Sequence, residues 1–160
     1  MRSFGSCQTQ ACILVHMRAL RNTGNPKVAP ILLQMAKLDS KSDRKVAIGA
    51  MKALFALPTR AVFDAIGGNL KAQLFALTTD KSRASTVKGL AAEMLVLQDP
   101  ASNLQHVLKL LQAEKAEYRK LMLNRFQDMS DYNPQVREAF RLDTKLPTHL
   151  NHKYKSHELD

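Results

Sequence analysis

A chain of 160 residues with 45% hydrophobic content is about one domain long and able to bury a core, so its stability requires neither a metal nor a disulfide. Trp is absent, aromatics make up 6%, and the period-2 alternation of strands is nowhere sustained, which excludes a sheet-based architecture and points to an all-α fold. The formal net charge of +10 suits an acidic protein surface, anionic lipid or nucleic acid. Lys and Arg are nevertheless spread from Arg2 to Lys155 with no compact run of interleaved aromatics, which argues against nucleic acid.

The opening MRSFGSCQTQACILVHM has a short apolar centre that ends at His16, too brief for a signal peptide, and neither ACILV nor ALFAL approaches the roughly 20 residues of a membrane span. Cys7 and Cys12 stand in a C-x4-C spacing, "CQTQAC". In a reducing compartment they are two thiols. In an oxidising one they can close a small local ring, provided that Cys7 lies in a turn ahead of the helix holding Cys12. The first helix follows at once, with Ile13, Met17 and Leu20 at helical spacing and no polar capping repeat before it, as if an N-terminal neighbour had been lost. Such an uncapped end is expected to favour self-association.

"RNTGNPKVAP" then stops one helix and starts another. Gly24 suits the left-handed position past a helix end, Asn25 the cap of the next, and Pro26 its first turn. Ile31, Met35 and Leu38 form the stripe of the second helix. Ser42 or Asp43 caps a third, in which Val46, Ala50, Ala53 and Leu57 align and are widened by Met51, Leu54 and Phe55. Pro58 opens TRAVFDAI, which Gly67 and Gly68 end before LKAQLFAL resumes. STVKGLAAEMLVL carries Val87, Leu90, Ala91 and Met94, and NLQHVLKLL repeats the pattern with Leu104, Val107, Leu108 and Leu111. A helix over about 114–129 bears Tyr118, Leu121, Met122 and Met129, and one after Pro134 bears Val136 and Phe140. Beyond Asp143 the period is lost, so residues 144–160 are expected to form a mobile or incomplete tail.

The boundary residues Pro26, Pro58, Pro100 and Pro134 are separated by 32, 42 and 34 residues, the length of a two-helix repeat. This predicts about eight antiparallel helices stacked in two layers as a degenerate α-solenoid. An ordinary helical bundle is the alternative.

Catalytic chemistry has no visible basis. The acidic residues are dispersed, and a Gly-rich phosphate loop, a nucleophile elbow and HExxH are all missing. His149, His152 and His157 crowd the tail without a rigid element to fix a metal geometry, and His106 reads as a boundary residue on its helix. The expectation is a non-enzyme with no cofactor and no metal.

Three features together resemble the helical domain of the large lipid transfer proteins, the family of vitellogenins, apolipoprotein B and the microsomal triglyceride transfer protein. They are the Cys7 and Cys12 pair just ahead of a helix, the stretch LVHMRALRNTGNPKVAPILLQMAK, and the stretch STVKGLAAEMLVLQDPASNLQHVLKLL, which looks most like the microsomal branch. The likeness spans roughly residues 7–140. It implies that residues 1–143 are the C-terminal part of a two-layered α-α superhelix that wraps lipid-carrying β-sheets, which this chain lacks. It further implies a Cys7–Cys12 disulfide, residence in the endoplasmic reticulum lumen, and protein disulfide isomerase and an apolipoprotein B-like protein as partners. The function expected on this reading is a non-catalytic scaffold segment in lipid transport and lipoprotein assembly. The competing expectation is a cytosolic HEAT- or armadillo-like module that binds an acidic protein or nucleic acid. In either case the Lys- and Arg-rich loops at 41–45 and 81–83 would steer an acidic partner.

Overall fold

The structure is a computed structural model that describes residues 9–142, and all regular elements among them are helical: nine α-helices and one 3-10 turn, against about eight predicted. Cys7 and the tail with His149, His152 and His157 lie outside the described residues. The chain forms two compact units, Met1–Gln98 and Asp99–Asp160. Each predicted proline boundary is a helix boundary in the structure.

In the first unit, α1 (Gln10–Thr23) is capped by Thr9, whose Oγ1 accepts the Cys12 N–H at 3.2 Å. It ends at Gly24, φ 62°, whose N–H donates to the Arg21 carbonyl. Asn25 Oδ1 accepts the Lys27 N–H at 3.1 Å and starts the 3-10 turn Pro26–Val28, which runs into α2 (Ala29–Ala36). The hinge is built as its residues predict.

The buried face of α2 is not the predicted one. Ile31 is 49% and Leu38 41% exposed, whereas Ala29, Leu32, Leu33 and Ala36 are buried. Both sets keep the helical period in APILLQMAKL, and periodicity alone does not choose between them. Packing against α3 (Arg44–Ala56) and α4 (Thr59–Ile66) selects the second.

Helix α3 has neighbours on several sides, namely α1, α2 and α6 (Ser85–Gln98), and its predicted stripe of Val46, Ala50, Ala53 and Leu57, with Met51 and Leu54, is buried. Asp43 occupies the N-cap position, but no side chain caps the helix there: its carboxylate takes the Ser40 hydroxyl instead. Where α1 crosses α3, a Cβ on Gly49 would stand 3.0 Å from Leu14 Cδ2 and 3.1 Å from Met17 Cε. Gly49→Ala should therefore be near neutral, because flexible side-chain ends yield and alanine gains helix propensity. Gly49→Val is expected to cost about 1–3 kcal/mol in urea denaturation, and equal stability of the two variants would show that the helices are not in this contact.

The chain axis turns by 112° between α3 and α4 at Leu57–Pro58. Helix α4 ends at Gly67, φ 86°, before α5 (Leu70–Thr79), which packs on α6. Helix α6 exceeds its predicted single stripe: every residue from Val87 to Val96 is buried, Lys88 and Glu93 included. Among the described residues, no single helix is long and apolar enough to cross a membrane.

The second unit holds α7 (Pro100–Gln112), α8 (Ala116–Tyr132) and α9 (Pro134–Leu142), with α9 packed on both others. Asp99 caps α7, its Oδ1 accepting the Ser102 N–H at 3.3 Å and its Oδ2 the Ser102 hydroxyl at 2.7 Å. Asn133 caps α9 through the N–H groups of Gln135 and Val136. The predicted α7 stripe is buried as expected. On α8 the buried set is Met122, Leu123, Phe126 and Met129, while Leu121, predicted to face inward, is 50% exposed. Phe126, one turn beyond Met122, is the bulkiest of that set and fixes which side of α8 turns inward.

Candidate functional site

The fold brings the two basic loops of the first unit to one edge. The loop that follows α2 and the loop that follows α5 line a shared shallow cleft, walled by Leu38, Asp39, Ser40, Arg44, Ser82 and Arg83. Its volume of about 20 Å³ holds a water or so and no metabolite, so the edge offers a surface rather than a chamber.

Local chemistry builds this junction. Asp80 Oδ1 accepts the Ser82 N–H at 2.9 Å and the Ser82 hydroxyl at 2.6 Å, folding the second loop into an Asx turn. Asp80 Oδ2 takes Arg83 Nε at 3.0 Å. The same guanidinium reaches across to the end of α2, where Nη1 donates to the carbonyls of Lys37 and Leu38, the latter at 3.0 Å. The Lys37 carbonyl belongs to the C-cap of α2, where a helix end leaves its carbonyls unpaired, Leu38 follows directly, and the positive group is favourable at the negative end of the helix dipole. The Ser82 bonds, then Arg83, hold the Asp80 carboxyl below the usual aspartate range.

The charges therefore divide into two groups. Arg83, expected to steer a partner, is instead an internal latch with only 14% of its side chain exposed. Arg119 and Arg137 serve likewise in the second unit: Arg119 Nη1 donates to the Gln112 carbonyl at 3.3 Å, and Arg137 donates to Ser130 and Asp131 carbonyls at 3.0 and 2.8 Å. At the loop edge Asp80 is paired with Arg83, Asp43 takes the Ser40 hydroxyl and keeps its charge, and Asp39 is exposed, so three carboxylates offset part of the basic charge. Lys41, Arg44, Lys45 and Lys81 stay exposed, and none of these four enters an ion pair among the described residues. A local excess of positive charge faces water.

Cys12 lies in the first turn of α1 and carries no free thiol. The His16 imidazole, one turn on, donates from Nδ1 to the Cys12 carbonyl at 2.9 Å and stands 3.7 Å from the Cys12 sulfur. A Cys7–Cys12 bond is expected to show in native mass spectrometry as a gain of two hydrogens on reduction. Closing so short a ring should add only about 2 kcal/mol of stability, and two thiols alkylated without reductant would count against the pairing. Among the described residues no group of three or more His, Cys, Asp or Glu is placed to hold a metal ion, and His106 lies on the exposed face of α7.

The amino-acid sequence shows both loops to be basic and carries no sign that they meet. The Asp-x-Ser turn in "DKSR" is a legible signal, whereas the contact of Arg83 with Lys37, 46 residues away, leaves none. In comparisons, no family model, no curated protein and no solved structure matches this chain.

Proposed function

We propose that this chain is a non-catalytic helical scaffold segment of a lipid transfer protein, part of a two-layered α-α superhelix, which docks a protein partner through its basic loop edge. The observation that carries the docking role is the meeting of the two loops, with Asp43 and Asp80 turned to internal bonds and Lys41, Arg44, Lys45 and Lys81 left facing water. The lipid-transfer assignment is supported by the sequence likeness, and the bonded state of Cys12 is consistent with the lumenal compartment that the likeness implies. Protein disulfide isomerase and an apolipoprotein B-like protein are the partners it suggests, with lipid held by β-sheets elsewhere.

Co-precipitation from an endoplasmic-reticulum extract tests the reading. At low ionic strength the tagged chain should recover protein disulfide isomerase or the β-sheet region of a lipid transfer protein, and raising the salt should release them. Recovery of cytosolic proteins or nucleic acid alone would instead identify a cytosolic interaction module.

A further inference from the structure

The outward face of α2 is apolar, and the turn after it leads into the basic edge. Ile31 and Met35, four residues apart and so on one side of the helix, are 49% exposed and half-buried, and Leu38, 41% exposed, follows in the turn just past the helix end, its N–H on the Met35 carbonyl. Leu38 itself walls the cleft with Arg44 and Ser82. One surface thus combines an apolar strip about two turns long with exposed Lys41, Arg44, Lys45 and Lys81 at its C-terminal end.

We infer that this composite surface docks an amphipathic helix of a partner protein, one whose apolar face carries leucine-like side chains and whose flanking face is acidic. The inference rests on the docking role proposed above and names the chemistry of the partner. An apolar strip alone does not discriminate among occupants; the cations at one end do. A carboxylate-bearing helix satisfies both halves, because its leucines cover Ile31, Met35 and Leu38 while its glutamates meet charges that have no internal partner. Nucleic acid would use the cations and leave the strip wet. A second copy of this chain would set cation against cation at the edge.

The test uses the full chain and a fluorescein-labelled peptide about 18 residues long, with leucines on one helical face and glutamates on the other. Controls are its lysine-for-glutamate counterpart, phosphatidylserine vesicles and a single-stranded DNA oligonucleotide. The glutamate peptide should bind and weaken as salt rises. The double variant Ile31→Ser and Leu38→Ser should weaken it at least about tenfold through lost apolar burial. The double variant Lys41→Glu and Lys81→Glu should weaken it about fivefold or more. Both pairs are surface residues, and unchanged thermal unfolding confirms that the unit is intact. The inference is overturned by absent binding, by equal binding of the lysine peptide, by indifference to either double variant, or by vesicles or DNA binding with the same dependence on Ile31 and Leu38. Peptide binding without recovery of any lumenal partner from the extract keeps this surface and removes the scaffold assignment. Recovery of a lumenal partner that both double variants leave intact does the reverse.

Discussion

Replacing Phe126 by alanine is expected to destabilise the second unit by about 3–5 kcal/mol. The ring is fully buried on α8, the longest helix of a unit that has only three described helices, and Met122, Leu123 and Met129 share its face. A small unit has few neighbours able to collapse into the space left behind, so lost transfer energy and the residual cavity add. Because whole-domain stabilities lie at roughly 5–15 kcal/mol, such a loss removes a large part of the margin. Urea unfolding followed by circular dichroism measures it. The half-exposed Leu121 supplies the contrast: Leu121→Ala should stay within about 0.5 kcal/mol, and a larger cost than for Phe126→Ala would mean that α8 packs through the opposite side.

Arg83→Ala is expected to cost about 1.5–3 kcal/mol, because it removes charge-assisted bonds to the Lys37 and Leu38 carbonyls together with the bond to Asp80. Arg83→Lys should recover only part of this. A single ammonium lacks the planar fork that serves carbonyls and carboxylate at once. The latch also depends on pH. The Asp80 carboxyl titrates below its usual range when folded, so its contribution is complete above about pH 4 and is lost as the pH falls through the lowered value. With 36% of the Asp80 side chain exposed, solvent screens much of the effect. Asp80→Asn should lower the melting temperature modestly at neutrality, where the bond contributes in full, and converge with the parent chain below about pH 4, so that acid unfolding is less steep; thermal melts across that range would measure both.

The helix boundaries were legible because they depend on neighbouring residues alone. Gly24 supplies a positive φ, Asn25, Asp99 and Asn133 supply side-chain acceptors, and Pro26, Pro58, Pro100 and Pro134 fix the entry to a turn or helix. Facing was less legible. In α2 and α8 two apolar sets differ by a residue or two of phase, and the packing of distant helices decided which set is covered. For α3 and α7 a single set is present, and the stripe read from the sequence is the buried one. The candidate surface stood furthest from sequence reasoning. Composition located the lysines and arginines, yet whether a given cation faces water or caps a carbonyl depends on which helix end happens to lie beside it, as Arg83, Arg119 and Arg137 demonstrate.

The span that Arg83 closes has a further consequence. Its guanidinium joins segments 46 residues apart, so the basic edge is discontinuous along the chain and comes into being only when α2 and α5 have both been placed. A linear peptide copied from either loop therefore lacks the edge, and a nascent or misfolded chain lacks it too. A partner that recognises both loops together reads the folded state of the unit as well as its charge, and an antibody selected against that edge would report the folded fraction of a sample directly.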